Sequence, residues 1–351
     1  MHHAKTEFSI PQHQPSLHLA AVLAAFWLVL SPWSLRAAET NQVSAMDIFS
    51  VGMANICFRN VNRNDAVAAY RVFLESAGHR FGNIYRADPV VYDDTPTFEA
   101  DIHRKPMNVA VISSWQFLTM DIHAQMKPFF SIVENGRAGR KYLLLTRRDS
   151  GLTNLPTLRG KDLIELEFVS QGVGQVWLDT VLLAEKLGAP EKFFSNIEVA
   201  AKPTATVLPV FFGKKSVCVV DEGSFDLMKE LNPQVGQMLQ VVASSDTLAD
   251  VVVCLREEHW SSAKFKADTI TALKELDQDP AGRQICTLFK IDRMVPFEDA
   301  QLDTLRKLRT KYAALQIKDA ATNQPAPMLS QLEKNDLPAP GQSRQTRKNE
   351  R

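Results

Sequence analysis

The sequence has no excess of either charge, since 40 Lys and Arg meet 40 Asp and Glu in 351 residues. Proteins that bind nucleic acid concentrate basic residues to displace counterions from phosphates. Here they gather only in pairs such as Arg147-Arg148 and Lys214-Lys215, which excludes nucleic acid as a partner. Cysteine is scarce. Cys57, Cys218, Cys254 and Cys286 lie far apart without a C-x-x-C pair, which excludes zinc-ribbon and thioredoxin-type sites. Each has apolar neighbours and reads as a buried thiol; an oxidising compartment would permit one disulfide, whose pairing the spacing does not choose. Catalytic signatures are missing as well: there is no G-x-S-x-G elbow, no H-E-x-x-H and no Walker loop. Beyond the first 18 residues the histidines are His79, His103, His123 and His259, scattered without metal-ligand spacing. These absences point to a protein that is not an enzyme and uses no metal or cofactor.

The longest apolar run, Leu19 to Leu30, is shorter than the roughly 20 residues that a membrane helix needs. It fits the core of a secretory signal, about 7–15 residues, and small residues Ala37-Ala38 follow it. Residues 1–38 are therefore expected to be a signal peptide, with a mature chain exported to the periplasm from Glu39. No cysteine follows the run to accept a lipid, so no stable membrane insertion is expected after cleavage.

The full chain is 45% hydrophobic, and what remains is long enough for two lobes of roughly 100–150 residues each. Apolar runs alternate with amphipathic stretches. Phe49–Gly52, Pro89–Tyr92 and Asn108–Ile112 read as strands. Asp65–Ala77 reads as a helix closed by Gly78, and Thr95-Pro96 as the cap and first turn of another. Such alternation predicts a parallel α/β sheet. Phe129–Val133 and Lys141–Leu145, flanking Asn135-Gly136, read as a hairpin. The pattern then restarts with a strand at 163–169, helices at 175–187 and 204–212, a strand at 216–220 and a helix at 224–231. Extended runs at 238–243 and 250–256 precede three closing helices near 260–276, 280–289 and 299–315. Residues 319–351 are polar, Pro-rich and poor in apolar anchors, and read as a disordered tail.

The segment TRRDSGLTNLPTLRGK at 146–161 resembles a stretch of the phosphate, phosphite and phosphonate substrate-binding proteins of ABC transporters. APEKFF at 189–194, VDE at 220–222, LNP at 231–233, and DQDPAG at 277–282 with Leu288-Phe289 resemble further segments of that family in the same order. The resemblance spans about Asp47 to Leu315 and implies a type II periplasmic-binding fold: two α/β lobes, a two-strand hinge and a ligand cleft between them. Lobe 1 would comprise 39–140 and 244–318, and lobe 2 141–243.

Candidate ligand contacts lie where strands lead into helices. Ser170, Gln171, Gly172, Val173, Gly174 and Gln175 form a glycine-bearing junction whose amides and helix dipole suit an anion, or else a tight turn alone. The family usually carries Ser and Thr there, where this chain has Gln and Val. Ser113, Ser114 and Trp115 occupy the equivalent place in the first lobe, with helix capping as the alternative. Tyr92 would stack on or bond to a ligand, or sit half-buried in the core. Lys202, with Thr204, stands where the family often has G-x-H, and would replace the missing histidine or be an ordinary solvated lysine. Asp221 and Glu222 would bind an amine or cap the next helix. Phe58 and Arg59 are weaker candidates.

The resemblance implies a periplasmic protein that captures a small anionic or zwitterionic solute, phosphonate- or phosphate-like, for an ABC permease. The alternative is an orphan or membrane-sensor-coupled binding protein of the same fold with a diverged cleft.

Overall fold

The computed structural model describes residues 47–58, 61–83 and 85–323. The expected signal peptide and the end of the expected tail lie outside these residues. The chain runs β1 (Asp47–Ala54), α1 (Arg63–Arg80), β2 (Tyr85–Tyr92), α2 (Thr95–Arg104), β3 (Val109–Ser113), α3 (Ser114–Thr119) and β4 (Met126–Val133). It continues with β5 (Tyr142–Arg147), β6 (Asp162–Leu166), α4 (Glu167–Ser170), α5 (Val173–Ala184), α6 (Pro190–Phe193) and β7 (Asn196–Ala200). Next come α7 (Pro203–Phe211), β8 (Val217–Asp221), α8 (Glu222–Leu231), α9 (Pro233–Met238) and β9 (Leu239–Ser244). The last elements are β10 (Val251–Arg256), α10 (Ala263–Lys274), α11 (Pro280–Phe289), β11 (Arg293–Pro296) and α12 (Asp303–Asn323).

Two sheets result, and each is the centre of a lobe. The first has the order β11-β4-β10-β3-β1-β2, the second β7-β6-β8-β5-β9. Strands β1, β2 and β3 are parallel, as are β6, β7 and β8, whereas β10 runs antiparallel to β3 and β4, and β5 antiparallel to β8 and β9. Alternation along the strands sorts the first sheet's side chains. Phe49, Val51 and Met53 join Val109, Val111, Val253 and Leu255 in one core, which includes α1 residues Tyr70 and Phe73. On the opposite face Ala110, Ile112 and Cys254 meet Phe98 and Ile102 of α2.

The expected hairpin does not form. Strand β4 pairs with β10 and β11, and β5 with β8 and β9, so the two belong to different sheets. Asn135 and Gly136 still make the tight turn, with φ of 50° and 74°, bridging Glu134 to Arg137. The chain then leaves for the second sheet, because the apolar faces of β4 and β5 are buried in separate layers.

Segments 134–141 and 245–250 are the two crossings between the lobes. They touch where the Arg140 N–H donates to the Leu248 carbonyl at 2.7 Å and the Leu248 N–H to the Arg140 carbonyl at 2.8 Å. Gly139, at φ 142°, permits this approach, since a Cβ there would lie 2.8 Å from the Leu248 oxygen.

Smaller departures have local causes. Helix α1 continues through Gly78 to Arg80, because Gly78 is needed for packing: a Cβ would sit 2.8 Å from the Tyr85 ring. Asp94, not Thr95, caps α2, accepting from the Thr97 N–H at 2.8 Å. Helix α12 extends to Asn323, past the expected start of the tail at 319, since a helix once nucleated propagates at little cost. Cys218, Cys254 and Cys286 are buried unpaired thiols, and burial pushes the Cys286 thiol up to about 11.

Arg256, at the end of β10, is buried and donates to the carbonyls of Met107 at 2.7 Å, Lys105 at 2.9 Å and Ile102. It thereby satisfies the Ile102 carbonyl, which α2 leaves open in its last turn, and two carbonyls just beyond the helix. Arg256→Ala is expected to cost about 2 kcal/mol by urea denaturation; a loss below a quarter of that would show that water replaces the guanidinium.

Candidate functional site

The cleft is built from the carboxyl ends of strands in both lobes, where open α/β sheets place ligands. From the first lobe come Asn55, Ile56 and Phe58, beyond β1, with Ser113 at the end of β3. From the second come Glu167 and Phe168 beyond β6, then Gln171, Gly172 and Val173. The lobes touch: a Cβ on Gly172 would lie 3.3 Å from Ile56 Cδ1. The inner space, lined by Ser113, Phe168, Gly172, Val173 and Asp250 among others, holds 20 Å³. The outer space between Asn55, Phe58, Glu167 and Gln171 holds 150 Å³.

Arg140 adjoins the inner space through Asp250 and Phe168, which line it. Only 7% exposed, it donates from Nη1 to Asp221 at 2.7 Å, from Nη2 to Glu134 at 2.5 Å, and from Nε and Nη2 to Asp250, each at 3.2 Å. Its guanidinium also lies 4.9 Å from the centre of the Phe168 ring. One side chain thus ties both crossings to the ends of β6 and β8. Beside it, Arg137 pairs with Glu222.

Of the sequence candidates, Ser113, Gln171, Gly172 and Val173 reach the spaces between the lobes, while Asp221 and Glu222 reach the adjoining arginine network. Asp221 caps α8, accepting from the Ser224 N–H at 3.3 Å, in addition to its bond from Arg140. Ser113 caps α3 in a reciprocal pair with Gln116. Helix α4 separates β6 from α5, so the 170–175 segment is not a direct strand-to-helix junction. The expected strand to 169 ends at Leu166, where the chain turns to set Phe168 against Arg140.

Tyr92, Ser114, Trp115, Ser170, Gly174 and Gln175 find partners within the protein. The Tyr92 hydroxyl donates to Asp101 at 2.9 Å, its ring stacks on Phe98 at 4.3 Å, and burial with this bond raises its pKa. Ser114 is buried, its N–H donating to the Asp250 carbonyl at 2.7 Å, and Trp115 packs half-buried against the core. Ser170 Oγ donates to the Glu167 carbonyl, and Gln175 to Asp179. Gly174 is required by packing, since a Cβ would lie 2.3 Å from Val169 Cγ1. Lys202 and Thr204 are exposed at the start of α7. Phe58 lines the outer space, and Arg59 lies outside the described residues. Sequence reasoning missed Arg140, Glu134 and Asp250; the charged residues around Asn135-Gly136 were the signal, hidden by the hairpin reading.

Residues 61–302 match the model of the ABC-transporter phosphonate periplasmic substrate-binding proteins. The chain belongs to this family. The phosphonate-binding family supplies periplasmic components that bind small molecules for ABC transporters, and its members are transport proteins rather than enzymes. Solved structures agree on the type II periplasmic-binding fold. A Xanthomonas citri protein bound to ATP is 14% identical, with a TM-score of 0.56, covering 79% of this chain and 100% of its own. The binding component of a phosphonate ABC transporter from Pseudomonas aeruginosa is also 14% identical, with a TM-score of 0.56 and coverage of 80% and 91%. PhnD1 from Prochlorococcus marinus, in complex with methylphosphonate, is 12% identical, with a TM-score of 0.53 and coverage of 76% and 98%. No curated protein matches the sequence. Among the described residues of this family member, no helix is long and apolar enough to cross a membrane.

Proposed function

We propose that the mature chain, exported after removal of residues 1–38, closes on a small anionic or zwitterionic solute of the phosphonate or phosphate type and presents it to an ABC permease. The observation that carries this reading is the meeting of strand ends from two lobes, joined by paired crossings, at one cleft. Ser113, Gln171, Gly172 and Val173 are the proposed contacts. Helix α5 has no side-chain cap, and the Gln175 N–H donates to the Gly172 carbonyl at 3.2 Å, so the Val173 and Gly174 amides and the positive dipole end are what suit a ligand oxyanion. Closure is stabilised by the interactions made only when the lobes meet. Solute is bound and released unchanged, so the reading requires no catalysis.

A thermal and chemical denaturation screen over phosphate, phosphite, methylphosphonate, sulfonates and amino acids tests this. A true solute at 100 times its Kd adds about 2.7 kcal/mol to the unfolding free energy; a panel without a hit would sink the reading. Gly172→Val, which obstructs the approach of Ile56, is expected to weaken that solute more than tenfold. Unchanged affinity would move the site away from the cleft.

A further inference from the structure

A larger space of 280 Å³ lies between α5, the crossing that follows β9, and α12, and shares no lining residue with the spaces of the cleft. We propose that it is a second ligand site, which takes a small organic monoanion with a compact apolar body, a carboxylate of benzoate size.

Its walls are apolar where they are deepest. Trp177 and Leu248 are almost fully buried, and Val181 and Leu308 are half-buried beside them. Three of the four hydroxyls on the lining are already committed: Thr180 donates to the Val176 carbonyl, Thr304 to the Thr247 carbonyl, and Ser245 to the Asp246 carbonyl, while Ser244 lies at the exposed edge. Water against such walls finds few partners, and apolar surface gains by displacing it.

The rim is cationic. Lys307 and Lys311 line the space from α12, one helical turn apart, a spacing at which like charges repel. The acids Asp299 and Asp303 near the start of that helix are held by Arg306, and neither lysine forms an ion pair with a described carboxylate. Asp246 lines the space from the crossing and disfavours an acid group at that end. An anion beside the lysines relieves their repulsion while its hydrocarbon body covers Trp177 and Leu308. The volume lies at the lower limit of small-molecule pockets, roughly 300–1,000 Å³, which restricts the ligand to a compact one.

The test is calorimetric titration of the full chain with benzoate, with benzamide as its neutral counterpart, and with inorganic phosphate as an anion lacking an apolar body. Benzoate is expected to bind with a Kd below ~1 mM, and the other two at least tenfold more weakly. The double variant Lys307→Gln/Lys311→Gln and the space-filling Val181→Trp should each lose at least tenfold in benzoate affinity, whereas Gly172→Val in the cleft should leave it unchanged. The proposal is overturned if benzoate does not bind, if benzamide equals it, if the lysine variant titrates like the parent, or if Gly172→Val abolishes binding.

Discussion

Replacing Arg140 by methionine is expected to lower the unfolding free energy by about 3–5 kcal/mol, the usual consequence of removing one partner from a buried ionic cluster. Methionine keeps much of the apolar stem of arginine while removing its charge and donors, so the loss is mainly electrostatic. Asp221, Glu134 and Asp250 would each lose a bond from a guanidinium that is 7% exposed. Lysine should restore less than half of the loss, because a single ammonium cannot reproduce a planar fork that reaches three carboxylates and lies over the Phe168 ring. Urea denaturation of the three proteins decides the matter, and a methionine variant within 1 kcal/mol of the parent would show that Arg140 is dispensable to the hinge.

Glu165→Gln is expected to stabilise the protein at neutral and alkaline pH. Glu165 is the last but one residue of β6 and is 3% exposed, with one carboxyl oxygen lacking any hydrogen-bond partner. Burial, reinforced by the negative charges of Asp179 and Glu191, pushes its pKa up to about 7 from 4.5. Asp179, also raised by burial, accepts from Gln175 at 2.9 Å and from the Tyr312 hydroxyl of α12 at 3.3 Å. Between pH 4.5 and 7 the native state holds the Glu165 proton and the unfolded state does not, so this site's contribution falls as pH rises. Below 4.5 both states are protonated and the full benefit is present; above 7 about 3 kcal/mol has been lost. Glutamine keeps the shape without titrating. The variant should therefore match the parent near pH 4, exceed it by up to about 3 kcal/mol at pH 8, and show a flatter profile between. Parallel stability curves for the two proteins would refute the shifted pKa.

The elements legible in the sequence were those whose burial pattern is local. Strand β3 and helices α1 and α11 carry periodic apolar residues, and the acidic caps Asp221 and Asp279 mark helix starts. Strands β7 and β11 were missed. They lie at sheet edges, and their mixed polar sequences show a largely exposed face rather than an apolar run. The candidate site divided similarly. Ser113 could be proposed because strand ends open towards a cleft in any such sheet, and Gly172 and Val173 because they open a helix, whereas Tyr92 and Gln175 found partners at Asp101 and Asp179 within their own lobes.

By itself the chain's order of residues determined the α/β class, the start of α11 at Pro280, the family and the turn at Asn135-Gly136, because each depends on neighbours a few positions apart or on a run of short segments in order. Tertiary structure alone decided that β4 and β5 part into different sheets, that Arg140 meets carboxylates at positions 134, 221 and 250, and that Glu165 is buried near other acids. The reason is physical: pairing partners, ion pairs and desolvation are set by distances through space between residues up to 195 positions apart, as in the Arg80–Glu275 pair, which no local periodicity encodes.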